Sequence, residues 1–161
     1  MRSAPRFLAD EMLGSLARWL RMMGYDTAYA RDVTDAEVLR RARAEGRTVL
    51  TRDHQLAKRA GEQGLLVESD DLEDQLIQVS TTLGLSFEES YTRCTICNGE
   101  LRNATLEEGA RAPPRVRESQ ERLYVCQECG QLYWRGSHWS RIFERLERML
   151  GRIGDWSGLS R

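Results

Sequence analysis

Hydrophobic and polar positions along the first half of the chain switch repeatedly between two periods. Arg6-Phe-Leu-Ala9 is a short apolar run closed by Asp10, the pattern of a buried strand. Leu13, Leu16, Ala17 and Leu20 then recur at i, i+3, i+4 and i+7, one face of an amphipathic helix, and Gly24 ends it. The alternation repeats. Strands are predicted at Thr27–Ala30, Thr48–Thr51 and Leu65–Val67. Thr34-Asp-Ala-Glu37 reads as a capping box opening a helix that runs to Glu45 and stops at Gly46. Asp53 opens another that stops near Gly61 or Gly64, and Ser69-Asp-Asp71 caps a helix bearing Leu72, Leu76, Val79 and Leu83. Strict strand–helix alternation with short connections predicts an α/β fold: a central parallel sheet covered on both faces.

Beyond Leu83 the pattern changes. Thr82 to Tyr91 reads as a connector with a helical turn at Ser86-Phe-Glu-Glu89. Two C-x-x-C knuckles follow, Cys94/Cys97 and Cys126/Cys129, and they hold every cysteine in the chain. Each knuckle aims two thiolates at one centre, so a pair of them makes a tetrahedral zinc site. Four thiolates leave no open coordination position, which makes the expected role of the zinc structural. The run Leu101 to Gln120, with Pro113-Pro114, reads as an insert between the knuckles, and Gln131–Trp134 as the last strand of a small zinc ribbon. Ser137 begins a final helix with Ile142, Phe143, Leu146, Met149 and Leu150 on one face. The expected organisation is an α/β domain at 1–90, the ribbon at 91–136, a helix at 137–150 packed back on the body, and a loose tail at 151–161.

Composition narrows the class. In 161 residues, 40% hydrophobic and 30% charged content fits a globular protein with a real core. No apolar run is long enough to span a bilayer, and no signal-peptide core follows Met1-Arg-Ser-Ala-Pro-Arg6, so a cytoplasmic setting without membrane partners is expected. Four thiols kept for metal agree with a reducing compartment. Net charge is −1, but residues 1–90 carry 12 basic and 16 acidic side chains against 12 and 9 in residues 91–161. Every basic residue except Lys58 is arginine, the side chain suited to bidentate phosphate contact and base stacking.

Parallel α/β sheets bind ligands at the carboxyl ends of their strands. Acids fall there in this chain: Asp10 after the first strand, Asp32 and Asp35 after the second, Asp53 after the third, Asp70 and Asp71 after the fourth. Carboxylates converging there need a cation to offset their repulsion, and magnesium or manganese suits oxygen donors. Such ions support phosphodiester hydrolysis. Aspartate is equally a favoured N-cap, so Asp35, Asp53 and Asp70 have a structural explanation too. Arg18, Arg21 and Arg52 are candidates to meet phosphate near those acids, with a solvated arginine face or ion pairs as the alternative. Tyr133-Trp-Arg-Gly-Ser-His-Trp139 interleaves rings with arginine, as base-stacking surfaces do. His138 and Trp139 are the RNA-contact candidates there, and Trp134 reads as core.

Three stretches carry a family resemblance. Phe7-Leu-Ala-Asp10-Glu-Met-Leu-Gly14-Ser-Leu-Ala-Arg18-Trp-Leu-Arg21, Gly24-Tyr-Asp26 with Asp35 beyond it, and Arg47-Thr-Val-Leu-Thr-Arg-Asp53 resemble the Mut-seven C-terminal RNase domain family, a branch of the PIN-like nucleases. The resemblance continues through Arg93-Cys94 to Leu101, Cys126 to Gly130, and Tyr133 to Trp139. It implies a PIN-like three-layer fold, a C-terminal zinc ribbon and a metal-dependent ribonuclease activity on single-stranded or structured RNA. By position it implies Asp10, Asp35 and Asp53 as catalytic, magnesium- or manganese-holding acids, with Asp70 fourth and Asp32 competing for second place. If the knuckles touch function at all, it is by holding Arg93, Arg135 and the Trp134–Trp139 stretch beside the acids. A non-catalytic RNA-binding or protein-docking module working through the ribbon is the alternative.

Overall fold

The computed structural model describes residues 4–87, 92–120, 122–137 and 140–149. Four short strands, β1 (Phe7–Ala9), β2 (Thr27–Tyr29), β3 (Thr48–Thr51) and β4 (Gly64–Leu66), form one parallel sheet in the order β2-β1-β3-β4. The helices α1 (Gly14–Met22), α2 (Asp35–Glu45), α3 (His54–Ala60) and α4 (Leu72–Leu83) connect and cover it. The expected α/β architecture is therefore present, with β3 at its expected limits and the other strands differing by one residue.

The strand sequences explain the layering. β1 is buried on both faces: Phe7 and Ala9 face one hydrophobic cluster, Leu8 the other. The first cluster collects Leu13, Leu16 and Leu20 of α1 with Leu76 and Val79 of α4. The second collects Val38, Leu39 and Ala42 of α2 with Leu56 of α3. Residues 140–149 are helical (α7), and Phe143, Leu146 and Met149 belong to the first cluster, so the apolar stripe of this helix packs on the α/β body. Phe143 stacks near Phe87, with centroids 5.1 Å apart, and Arg145 pairs with Glu73 at 2.8 Å.

Thr34 caps α2 by accepting from Glu37 N, but the Glu37 carboxylate pairs with Arg40 instead of returning to the cap. The predicted capping box is thus half formed. A complete one occurs at Thr105 and Glu108, opening α5 (Leu106–Gly109). That helix and α6 (Pro114–Ser119) lie between the knuckles, but Leu101–Asn103 is not part of the insert: it forms β5. With β6 (Leu123–Cys126) and β7 (Leu132–Trp134) it makes an antiparallel sheet of order β5-β6-β7. Glu88 and Glu89 of the expected connector turn lie outside the described residues.

Candidate functional site: a carboxylate end and a four-cysteine centre

Strand order reverses between β1 and β3: the chain leaves β1 for β2 on one side, and leaves β3 for β4 on the other. The carboxyl ends of two such strands border the crevice where doubly wound sheets bind ligands. Asp10 follows β1 and Asp53 follows β3, so both stand at this switch point. Each is held by capping. Asp10 accepts from Glu11 N at 2.8 Å, and Asp53 Oδ1 accepts from Gln55 N and Leu56 N at 2.8 and 3.1 Å. One side chain ties them together. The fully buried Thr51 hydroxyl donates to Asp10 Oδ2 at 2.9 Å and accepts from Asp53 N at 3.0 Å. In the sequence, Thr51 carries no expectation beyond its place in a strand. Its position two residues before Asp53 on the strand facing Asp10 was the available signal.

The other acids follow the two edge strands. Asp35 begins α2, after edge strand β2, and is exposed. Asp32 has φ 56° and an exposed side chain 4.0 Å from Arg31. Asp70 is exposed beyond β4, where Asp71 rather than Asp70 caps α4. Among the described residues, only the four cysteines bring three or more His, Cys, Asp or Glu ligand atoms within 4.8 Å of one another. Asp10, Asp35 and Asp53 are spaced more widely than that as a trio. Two exposed apolar side chains lie close to these acids in sequence: Met12, in the 3-10 turn that Asp10 caps, and Val33, next to Asp32.

The arginines separate. Arg18 is exposed. Arg52 is half-buried, and its Nε is buried without a hydrogen-bond partner among the described residues. Arg21 does not share the surface of Arg18, and the phosphate role expected for it is corrected. It is buried, donating from Nε to Thr27 O at 2.9 Å and from Nη1 to Thr95 O at 2.8 Å. A guanidinium engaged in this way clamps the first knuckle to the α/β body. His138 and Trp139 lie outside the described residues.

The cysteine centre is tightly built. Cys94 Sγ lies 3.7 Å from Cys129 Sγ, and Cys97 Sγ 3.4 Å from Cys126 Sγ. A zinc–sulfur bond of about 2.3 Å predicts tetrahedral sulfur–sulfur edges of about 3.8 Å, so this donor set fits zinc. The knuckles are related in backbone as well. Asn98 N bonds Cys94 O and Gly130 N bonds Cys126 O, at 2.9 and 3.0 Å, and both residues take positive φ. Gly99 admits no side chain, because a Cβ would stand 2.7 Å from Cys126 Sγ. Burial raises the Cys94 thiol, but hydrogen bonds from Tyr133 and the Cys97 and Ile96 amides outweigh it, leaving the pKa at about 7. Burial pushes Cys97 up to about 12. Thiolates this close need a cation to ionise together.

Where the second knuckle has glycine, the first has asparagine, and its side chain does the docking. Asn98 Oδ1 accepts from Thr27 N at 2.9 Å, and Asn98 Nδ2 donates to Asp26 Oδ1 at 2.7 Å. Asp26 also accepts from the buried Arg47 at 2.8 Å and from Arg6 at 3.1 Å. Burial raises the Asp26 pKa, but the bonds from Arg47, Asn98 and Arg6 prevail and hold it at about 2. Asp26, Arg47 and Asn98 lie within the stretches that carry the family resemblance, where the sequence by itself assigns them no role. Thr27 begins β2 and Arg21 lies in the last turn of α1, so the knuckle seats on the end of the sheet opposite the carboxylates. A three-residue strand spans about 10 Å, which sets the least separation. The knuckle and Arg93, whose N bonds Arg21 O at 2.8 Å, are therefore not beside the acids as expected.

These features define an α/β protein with a carboxylate pair at its sheet switch point and a four-thiolate centre, fit for a metal ion such as zinc, docked at the opposite end. The family is shown by residues 5–146, which match the model of the Mut7-C RNAse domain; the chain belongs to that family. No curated protein and no solved structure matches it. Among the described residues, no helix is long and apolar enough to cross a membrane.

Proposed function

We propose that this chain is a metal-dependent ribonuclease of PIN-like type that hydrolyses RNA phosphodiester bonds at the crevice between the carboxyl ends of β1 and β3. The observation that carries the reading is the Asp10–Thr51–Asp53 arrangement at the switch point, in a chain whose family is an RNase domain. Asp10 and Asp53 would hold magnesium or manganese, with Asp35 alongside. The wide spacing of the trio suits magnesium, which binds through one or two carboxylates and keeps several waters. When bound, the ion supplies Lewis-acid stabilisation of phosphoryl oxygens and a nucleophile at neutral pH.

The protein side of the chemistry is orientation. Thr51 fixes the Asp10 carboxylate relative to the backbone of Asp53, while both carboxylates keep acceptor capacity beyond their caps. Arg18 and Arg52 would meet phosphate. The zinc centre, fully coordinated by cysteine, holds the ribbon and takes no part in hydrolysis. The test is cleavage of labelled single-stranded and structured RNA with manganese by wild type, Asp10→Asn and Asp53→Asn. Cleavage by wild type alone is expected, and equal cleavage by all three sinks the assignment.

A further inference from the structure

A cavity of about 220 Å³ lies on the ribbon sheet, lined by Asn103, Tyr124, Tyr133, Trp134 and Arg135 among others. It is distinct from both centres described above. Register explains how it forms. Asn103 stands opposite Tyr124, and Tyr124 opposite Tyr133, so these three side chains share one face of the sheet. Two residues on from Tyr133, Arg135 sets its guanidinium over the Tyr124 ring, 5.1 Å from the centroid. Among the described residues, no carboxylate lines the cavity. Arg102 at the rim is occupied by Glu108, in a bidentate pair at 2.7 and 2.8 Å.

We propose that this cavity is a subsite for one unpaired nucleobase of an RNA strand, resting on the reading of the chain as acting on RNA. The volume is below the roughly 300–1,000 Å³ of pockets that enclose drug-sized ligands, which suits a single ring system. A duplex base has no free face to present there. Tyr124 and the Arg135 guanidinium form a flat, polarisable platform of the kind on which bases stack. Arg135 supplies charge for the adjoining phosphate. Asn103 carries both a donor and an acceptor, the pair needed to read the polar edge of a base. The rings are held rigidly, because Tyr133 Oη lies 2.9 Å from Cys94 Sγ and accepts from Thr95 N at 3.1 Å. The zinc knuckle therefore fixes the subsite as well as the docking of the ribbon. Since that knuckle seats at the opposite end of the sheet, the subsite grips the strand away from the cleaved bond.

The test is binding of labelled single-stranded oligoribonucleotides to the zinc-loaded full chain, without magnesium or manganese, followed by fluorescence anisotropy. Loss of one stacked base weakens binding about tenfold, the effect expected for Tyr124→Ala. Arg135→Gln and Asn103→Ala should weaken it several-fold, and Asn103→Ala should also flatten any preference among homopolymers. Asn103 is exposed, so its substitution leaves folding intact, and zinc content reports the integrity of all three variants. The proposal is overturned if Asn103→Ala and Arg135→Gln, with zinc retained, both bind within about twofold of wild type. Cleavage of the same oligonucleotides with manganese separates the two readings. Unchanged binding with intact cleavage removes the subsite and leaves the nuclease, whereas pocket-dependent binding without cleavage removes the nuclease and leaves the subsite.

Discussion

The two ends of the sheet are built on opposite plans. At the carboxylate end, Asp10 and Asp53 are held mainly by the amides of their own helix caps; one long-range bond, from Thr51 to Asp10, joins the two segments, and the Thr51 hydroxyl also accepts from the nearby Asp53 amide. At the zinc end, Arg21, Asp26 and Asn98 bond partners more than 70 residues away, and each uses several atoms at once. The first plan leaves oxygens open to a ligand and costs little to rearrange. The second engages its docking side chains with one another and with backbone, so that it holds two sheets together. The proposed catalytic end and the end that fixes architecture are thereby separated by at least the length of a strand.

Removal of zinc should produce the largest effect and the sharpest contrast. Structural zinc contributes about 10–16 kcal/mol to small cysteine modules, far more than the packing of a three-stranded ribbon. A zinc chelator, or Cys94→Ser, should expose residues 92–136 to protease while the parallel sheet, with its own two clusters, persists. Withdrawal of magnesium or manganese should leave digestion unchanged. Equal protection with and without zinc would break the distinction.

Arg47 tests the same end from the body side. It is buried, pairs with Asp26 and Glu45 at 2.8 Å, and donates to Phe7 O at 3.1 Å. Arg47→Met leaves the Asp26 carboxylate short of its main partner and should cost about 3–5 kcal/mol in denaturant unfolding. The pH dependence follows from the lowered Asp26 pKa. Its stabilisation is complete above about 4, the ordinary aspartate value, and is lost as pH falls through about 2. Acid unfolding of wild type in that window should therefore be steeper than that of Asp26→Asn, which has no such proton to take up.

Much of this was legible in the sequence because it is local. Buried Phe7-Leu-Ala9, the 3.6-residue stripe of α1 and the glycine stops each follow from neighbouring residues. Paired C-x-x-C spacing gave the metal centre for the same reason. What escaped depends on contacts between distant segments. Nothing near Arg21 marks it as the clamp for Thr95, so its spacing from Arg18 suggested a shared phosphate-binding face instead. Nothing near Asp26 announces Asn98. Leu101–Asn103 has too little alternation to identify it as a strand until β6 pairs with it. Acids at strand ends can be read from the sequence, but strand order sets β1 between β2 and β3, and it is the Thr51 hydroxyl that ties Asp10 to the backbone of Asp53.

Thr51→Val gives the smallest stability effect and tests the carboxylate end directly. Valine keeps the shape and β-propensity of threonine and removes only the hydroxyl. One buried hydrogen-bonding group is lost, a cost of about 1–2 kcal/mol, and the sheet should stay intact. The hydroxyl fixes Asp10 relative to Asp53, and loss of a residue that orients metal ligands costs about 10–100-fold in metal affinity or activity. Manganese-dependent cleavage should therefore fall at least tenfold, with partial recovery at raised manganese, while zinc content and protease resistance of the ribbon stay unchanged. Thr51→Ser, which restores the hydroxyl, should recover most of the activity. If valine cleaves as well as threonine, the link between the two acids is only a strand-end hydrogen bond.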